Sequence, residues 1–242
     1  MSHTWLVVRS AILWTICWIY FVFAVLSVLI IGMLIGQRRI DPVVRLVSRG
    51  IVFLAGARLR VHRAEGFESA RTCFFVANHV NVFDPFVLYS SIPQFIRGLE
   101  LESHFSMPVY GWLMKRFGNV PVPDVRTASG LKRTYRLARE ALESGTSLVV
   151  FAEASRTLDG YVRKFESGVF RMALNLGYPI VPVSVVHAFT WKRKGSRLLR
   201  PATVVVHIHD TIETEGLGRK DLKTLRDQVH EIVSKPVSDS LV

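Results

Sequence analysis

Between Thr72 and Phe86 the chain reads TCFFVANHVNVFDPF. An apolar, strand-forming run from Cys73 to Ala77 stops abruptly at Asn78-His79, and Asp84 follows five residues after the histidine. A neutral imidazole accepts a proton from a hydroxyl near neutral pH. A carboxylate on its other nitrogen fixes the tautomer and stabilises the imidazolium that forms. A spacing of five does not place two side chains on one helical face, so the pair assembles only if the chain turns between them. Asn81 and Pro85 are residues that favour such a turn. The other reading is that Asp84 caps a helix opening at Pro85, which leaves His79 a loop histidine.

Two more polar clusters follow apolar runs: Asp124 to Arg126 after Val120-Pro121-Val122, and Glu153 to Arg156 after SLVVFA. Ligands of open α/β sheets bind beyond the carboxyl ends of the strands, so distant clusters of this kind converge. Arg156 suits bidentate recognition of phosphate, as do Arg126, Arg163 and Lys164; each also reads as an ordinary surface cation. Tyr178-Pro179-Ile180-Val181-Pro182-Val183 is either a rigid wall for an acyl chain or a plain core strand. His207 and His209 share a strand face with no carboxylate or cysteine placed to complete a metal site, so they read as structural. No metal is expected. GxSxG, P-loop, GxGxxG and HExxH patterns are absent.

The elements that must position these residues alternate. Strands are expected at Leu59–His62, Cys73–Ala77, Phe95–Gly98, Val120–Val122, Ser147–Ala152, Ile180–Val186 and Thr203–His209. Helices are expected at Pro85–Ser91, Pro108–Phe117, Thr127–Glu143, Gly168–Leu176 and Arg219–Val233, with a frayed tail after Lys235. This alternation predicts an α/β domain with a largely parallel sheet flanked by helices.

An N-terminal segment precedes that domain. Ser10 to Gly36 carries no charge over about 27 residues, or roughly 40 Å of helix. That length spans a bilayer with tilt, or bends and re-enters. Only Arg9 precedes it, whereas Arg38, Arg39, Arg45, Arg49 and Arg58 follow, which places the rest of the chain on the cytoplasmic face, the inner membrane in a bacterium. Ile40 to Leu59 reads as a basic amphipathic helix on an anionic membrane surface, or else as a core-packing helix. The boundaries are therefore 1–58 for membrane anchoring and 59–242 for the catalytic domain. Half of the 242 residues are hydrophobic and the net charge is +12, which points to an anionic partner such as membrane lipid, nucleic acid, or an acidic carrier or substrate, or else to a generally basic surface. Cys17 and Cys73 form no disulfide framework or metal motif.

The stretch from Phe74 to Val186 resembles the 1-acylglycerol-3-phosphate acyltransferase family of membrane glycerolipid acyltransferases. The family's NHxxxxD stands complete from Asn78 to Asp84. Pro108-Val109-Tyr110-Gly111-Trp112 and Gly118-Asn119-Val120-Pro121-Val122 resemble the approach to its second motif, with Pro123, Asp124 and Val125 intervening before Arg126. Its FPEGTRS appears as Phe151 to Thr157, with Ala152 and Ala154 in place of Pro and Gly. Its fourth motif is similar to Tyr178 to Val183.

The resemblance implies acyl transfer from acyl-CoA or acyl-carrier protein to the free hydroxyl of a lysophospholipid at a bilayer, giving phosphatidic acid, without a cofactor. His79 would be the general base and Asp84 its orienting acid. Asn78, Arg126, Glu153, Ser155 and Arg156 would bind substrate, Arg156 holding the phosphate and Glu153 ordering its loop. Rival readings are an acyltransferase for another lysolipid, such as a lyso-ornithine lipid, a membrane lipid hydrolase activating water at His79, and a membrane-surface scaffold. No aromatic-basic interleaving suggests nucleic acid.

Overall fold

The structure, a computed structural model, describes residues 2–108, 110–125 and 127–241. Helix α1 (His3–Ile35) is uninterrupted because nothing in its apolar run breaks the backbone ladder. Ser2 caps it, its hydroxyl accepting the Trp5 N–H. Gly36, at φ 80°, ends it in a conformation that disfavours a side chain. Helix α2 (Gln37–Leu54) then folds back, with Ile40 beside Gly32 and Tyr20 against Gly50. Among the described residues α1 is the one helix long and apolar enough to cross a membrane, and 22% of its hydrophobic window is buried.

The strands are β1 (Ala57–Arg63), β2 (Phe74–Ala77), β3 (Ile96–Leu101), β4 (Val120–Val122), β5 (Ser147–Phe151), β6 (Ile180–Val186) and β7 (Ala202–Ile208). They form one seven-stranded sheet in the order β1-β7-β6-β2-β5-β3-β4. Every pairing is parallel except β6 with β7. The expected mixed α/β fold with a largely parallel sheet is therefore what the chain adopts. The central strands are buried on both faces, which is why they read as continuous apolar runs rather than alternating ones. Phe75 and Ala77 point into a cluster with Cys17, Ile51, Val52 and Val87; Phe74 and Val76 point the other way, toward Ala138, Phe170 and Val229. On the first face lie α1, α2, α3 (Asp84–Ser91) and the short α7 (Ala188–Trp191). On the second lie α5 (Ala128–Glu143), α6 (Gly168–Leu176) and α8 (Leu222–Asp239), while α4 (Tyr110–Arg116) sits between β3 and β4.

One sequence expectation changes, and two segments read in two ways gain a structural context. The tail does not fray after Lys235: α8 runs through Pro236 to Asp239, because Val233 and Val237 are buried against the sheet side. Leu241 then reaches the turn at Gly160. Helix α2 buries Ile40, Ser48, Ile51 and Val52, so one of its faces packs on the domain. Its Arg45 is committed internally, to Asp41 at 2.6 Å and to the carbonyls of Ile92 and Gln94. The opposite face leaves Val43, Leu46 and Phe53 exposed. Finally, β6 is buried along its whole length between β2 and β7, so the Pro179–Val183 stretch is a core strand and not a ligand wall.

Candidate active site

The loop after β2 is built around one carboxylate oxygen. Oδ2 of Asp84 accepts from Nδ1 of His79 at 2.8 Å, from the Val80 N–H at 2.5 Å and from the Asn81 N–H at 2.8 Å. The turn that closes this ring is local: the Oδ1 of Asn81 accepts the Phe83 N–H at 2.8 Å, an Asx turn. Of the two readings, the pairing one holds and the capping one does not: the Asp84 side chain bonds no N–H of α3. Oδ2 already accepts from two backbone N–H groups, so the arrangement suits an Nδ1–H donor as a third and leaves Nε2 as the open nitrogen of the ring. The imidazole lies flat on the Phe151 ring, centroids 4.0 Å apart, and its side chain is 20% exposed while Asp84 is fully buried.

Glu153 clamps this loop to the next one. Its Oε1 accepts the His79 N–H and its Oε2 the Arg163 N–H, both at 2.7 Å. The Thr157 N–H donates to the His79 carbonyl at 2.9 Å, which sets Arg156 beside the histidine loop. Burial pushes the Glu153 carboxyl up to about 7, and the two backbone N–H groups pull the other way. Ala154 stands at φ 57°, the left-handed region in which a side chain is strained. Ser155 accepts from the Arg163 guanidinium at 2.8 Å.

The site residues named from the sequence divide accordingly. His79, Asp84, Glu153, Ser155 and Arg156 are brought together on the two loops. Arg126 lies outside the described residues; its neighbour Asp124 is used by the Ser103 N–H and hydroxyl at 2.8 and 2.6 Å. Asn78 requires a correction. Its amide is 1% exposed, donates to the Val185 carbonyl at 3.0 Å and accepts the Val185 N–H at 2.7 Å. Buried and bonded through both its amide nitrogen and its oxygen, it is a strap between the loop and β6. Glu153, with both oxygens on backbone N–H groups, likewise orders the loop and does not face a ligand. His209 bonds the Ser184 hydroxyl at 2.8 Å, and burial lowers its pKa, as befits a structural residue.

Sequence reasoning missed Asn81 as a second strap, its Nδ2 donating to the Ala188 carbonyl at 3.0 Å, and Phe151 as the floor under the imidazole. It also passed over the Lys192-Arg193-Lys194 run after β6, whose charge density was the available signal.

The acyltransferase family model matches residues 58–186, more than half of the chain. The chain belongs to the acyltransferase family. A 1-acyl-sn-glycerol-3-phosphate acyltransferase of Pseudomonas aeruginosa is 24% identical over 90% of this chain and 86% of its own length. The chloroplastic BAT2 enzyme of Brassica napus, also a 1-acyl-sn-glycerol-3-phosphate acyltransferase, is 30% identical over 58% of this chain and 40% of its own length. The human beta enzyme of the same name is 25% identical over 75% of this chain and 66% of its length. This chain thus spans most of the bacterial relative but less than half of the Brassica protein. The crystal structure of the 1-acyl-sn-glycerophosphate acyltransferase PlsC from Thermotoga maritima shares the fold, with a TM-score of 0.81 over 96% of this chain and 95% of that one at 22% identity. The family match spans both loops of the site, from β1 through the end of β6.

Proposed function

We propose that this acyltransferase moves a fatty acyl chain from an acyl thioester to the free hydroxyl of 1-acylglycerol-3-phosphate, giving phosphatidic acid. The observation that carries the reading is the 2.8 Å bond from Nδ1 of His79 to the buried Asp84, which leaves Nε2 as the basic nitrogen beside the Arg156 loop. The relatives' names support the choice of acceptor.

In this reading the acceptor hydroxyl gives its proton to Nε2 as its oxygen attacks the thioester carbonyl carbon. Asp84 stabilises the imidazolium, which contributes on the order of 10²–10⁴-fold. Collapse of the tetrahedral intermediate breaks the C–S bond, and the imidazolium returns its proton to the leaving thiolate. With a thiol pKa of about 8.5, the thiolate leaves readily and no covalent acyl-enzyme is needed. Acyl-CoA or acyl-carrier protein supplies the thioester. Residues 1–58 hold the domain at the bilayer, and the arginines that follow α1 set the site on the cytoplasmic face, so that a lipid acceptor is met in two dimensions.

The test is lipid mass spectrometry on membranes given labelled acyl donor and competing lysolipids, with wild type and His79→Ala at equal expression. Label entering phosphatidic acid in wild type alone supports the proposal. Label in another lysolipid reassigns the acceptor, free labelled fatty acid indicates a hydrolase, and retained transfer by His79→Ala ends the mechanism.

A further inference from the structure

The turn after β6 brings a second set of cations to the same edge. His187 is held at φ 62°, and the short helix α7 that follows ends at Lys192. Two loops hold this turn. Asn81 of the histidine loop bonds the Ala188 carbonyl at 3.0 Å. Lys194 donates to the carbonyl of Arg156 at 3.2 Å, and Phe189 packs on Gly160 of the loop after β5. The turn is therefore fixed to the parts of the chain that carry His79 and Arg156.

Lys192 is 5% exposed, and its Nζ donates to one group, the neighbouring Arg193 carbonyl at 2.8 Å. An ammonium has three N–H donors. Among the described residues no carboxylate forms an ion pair with Lys192 or with Arg156. Burial, and then the charge of Arg156, hold the Lys192 ammonium below the ordinary lysine range. A buried cation beside a second cation, with spare donors and no counter-ion, is costly in an empty site. An anion arriving between them reverses both costs.

We propose that Lys192 and Arg156 close on a phosphomonoester from two sides, Lys192 from the turn after β6 and Arg156 from the loop after β5. This rests on the acceptor reading above, since 1-acylglycerol-3-phosphate carries such a group and its two negative charges match the two cations. Arg156 offers a planar fork and Lys192 a point charge of adjustable reach. The loop bonds set this anion site next to His79, so a lipid held by its phosphate presents its hydroxyl to the imidazole.

The full chain in mixed micelles provides the test, with Lys192→Met to remove the charge and keep the stem, and Lys192→Arg to restore a cation. Lys192→Met is expected to raise the KM for 1-acylglycerol-3-phosphate about 10- to 100-fold, the value of one charge-assisted hydrogen bond. It should lower the preference over 1-acylglycerol by the same factor, with a far smaller change in kcat. Lys192→Arg should recover part of the loss. The melting temperature of ligand-free Lys192→Met should equal or exceed that of wild type, because the charge is a burden without its ligand; a purely structural lysine would lower it. An unchanged acceptor KM overturns the proposal. A rise confined to the acyl-CoA KM also overturns it and assigns the phosphate to the donor. Should wild type make no phosphatidic acid, the acceptor reading fails separately. The site is then read by binding alone: glycerol 3-phosphate must raise the wild-type melting temperature and leave Lys192→Met unmoved, and no shift in wild type refutes the site.

Discussion

The backbone N–H of His79 donates to Oε1 of Glu153 at 2.7 Å, a bond between residues 74 positions apart. Through it the loop with the imidazole and the loop with Arg156 move as one body. The Oε2 bond to Arg163 extends the clamp, so a single carboxylate holds three segments in register.

The first prediction concerns pH. Burial raises Glu153 from 4.5 to about 7. The folded chain therefore keeps a proton that the unfolded chain releases, so this group's contribution to stability is complete below pH 4.5 and is lost as pH rises through 7. The loss is on the order of 3 kcal/mol. Glu153→Gln removes that slope, which thermal melts at pH 5 and pH 8 will show. Activity moves oppositely: protonation below about 7 takes one acceptor from the clamp, so Glu153→Gln lowers the rate throughout and removes Glu153's share of the acidic limb, leaving that of the His79 base.

Asp84→Asn tests the charge. The two backbone N–H groups at Oδ2 select the amide oxygen there, so Nδ1–H keeps an acceptor while the imidazolium loses the negative charge that stabilises it. A fall in kcat of roughly 10²–10⁴-fold is expected, with the acceptor KM nearly unchanged. Steady-state kinetics on the purified variant decide this, and wild-type kcat would show that Asp84 only orders the loop before α3.

Ala154 sits at φ 57°, where an L side chain costs roughly 1–2 kcal/mol. Ala154→Gly relieves that strain while adding freedom to the unfolded chain, for a net gain of up to about 1 kcal/mol. Ala154→Val is expected to lower stability and to loosen the Arg156 loop, with loss of activity. Melting temperatures of the pair should move in opposite directions.

Asn78→Ala leaves the buried N–H and C=O of Val185 without partners, at about 1–3 kcal/mol each. Stability should fall together with kcat while KM for the acceptor stays level. A rise in KM at unchanged stability would show instead that the amide touches substrate.

Much of the site was legible in the sequence, and for local reasons. The His79–Asp84 spacing needed a turn, and Asn81 makes that turn with its own side chain two residues on. The strand order along the chain was legible because buried strands differ from amphipathic helices in period. The reversal of β7 against β6 was not, since an apolar, β-branched strand reads the same in either direction. Nor was the work of Asn78 and Asn81: each bonds a residue 107 positions away. The run through Pro236 was hidden because a proline in sequence says stop, whereas the buried Val233 and Val237 hold the helix on course.

By itself the sequence determined the chemistry on offer: an imidazole, an acid within reach of one turn, an arginine after a buried strand, and an apolar N-terminal helix. Those depend on residue type and on contacts a few positions apart. Only the tertiary structure decided that Glu153 and Asn78 are straps and that Lys192 is buried on a turn tied to the Arg156 loop. Those facts arise where β2, β5 and β6 lie side by side, and strand adjacency is set by the packing of both sheet faces at once.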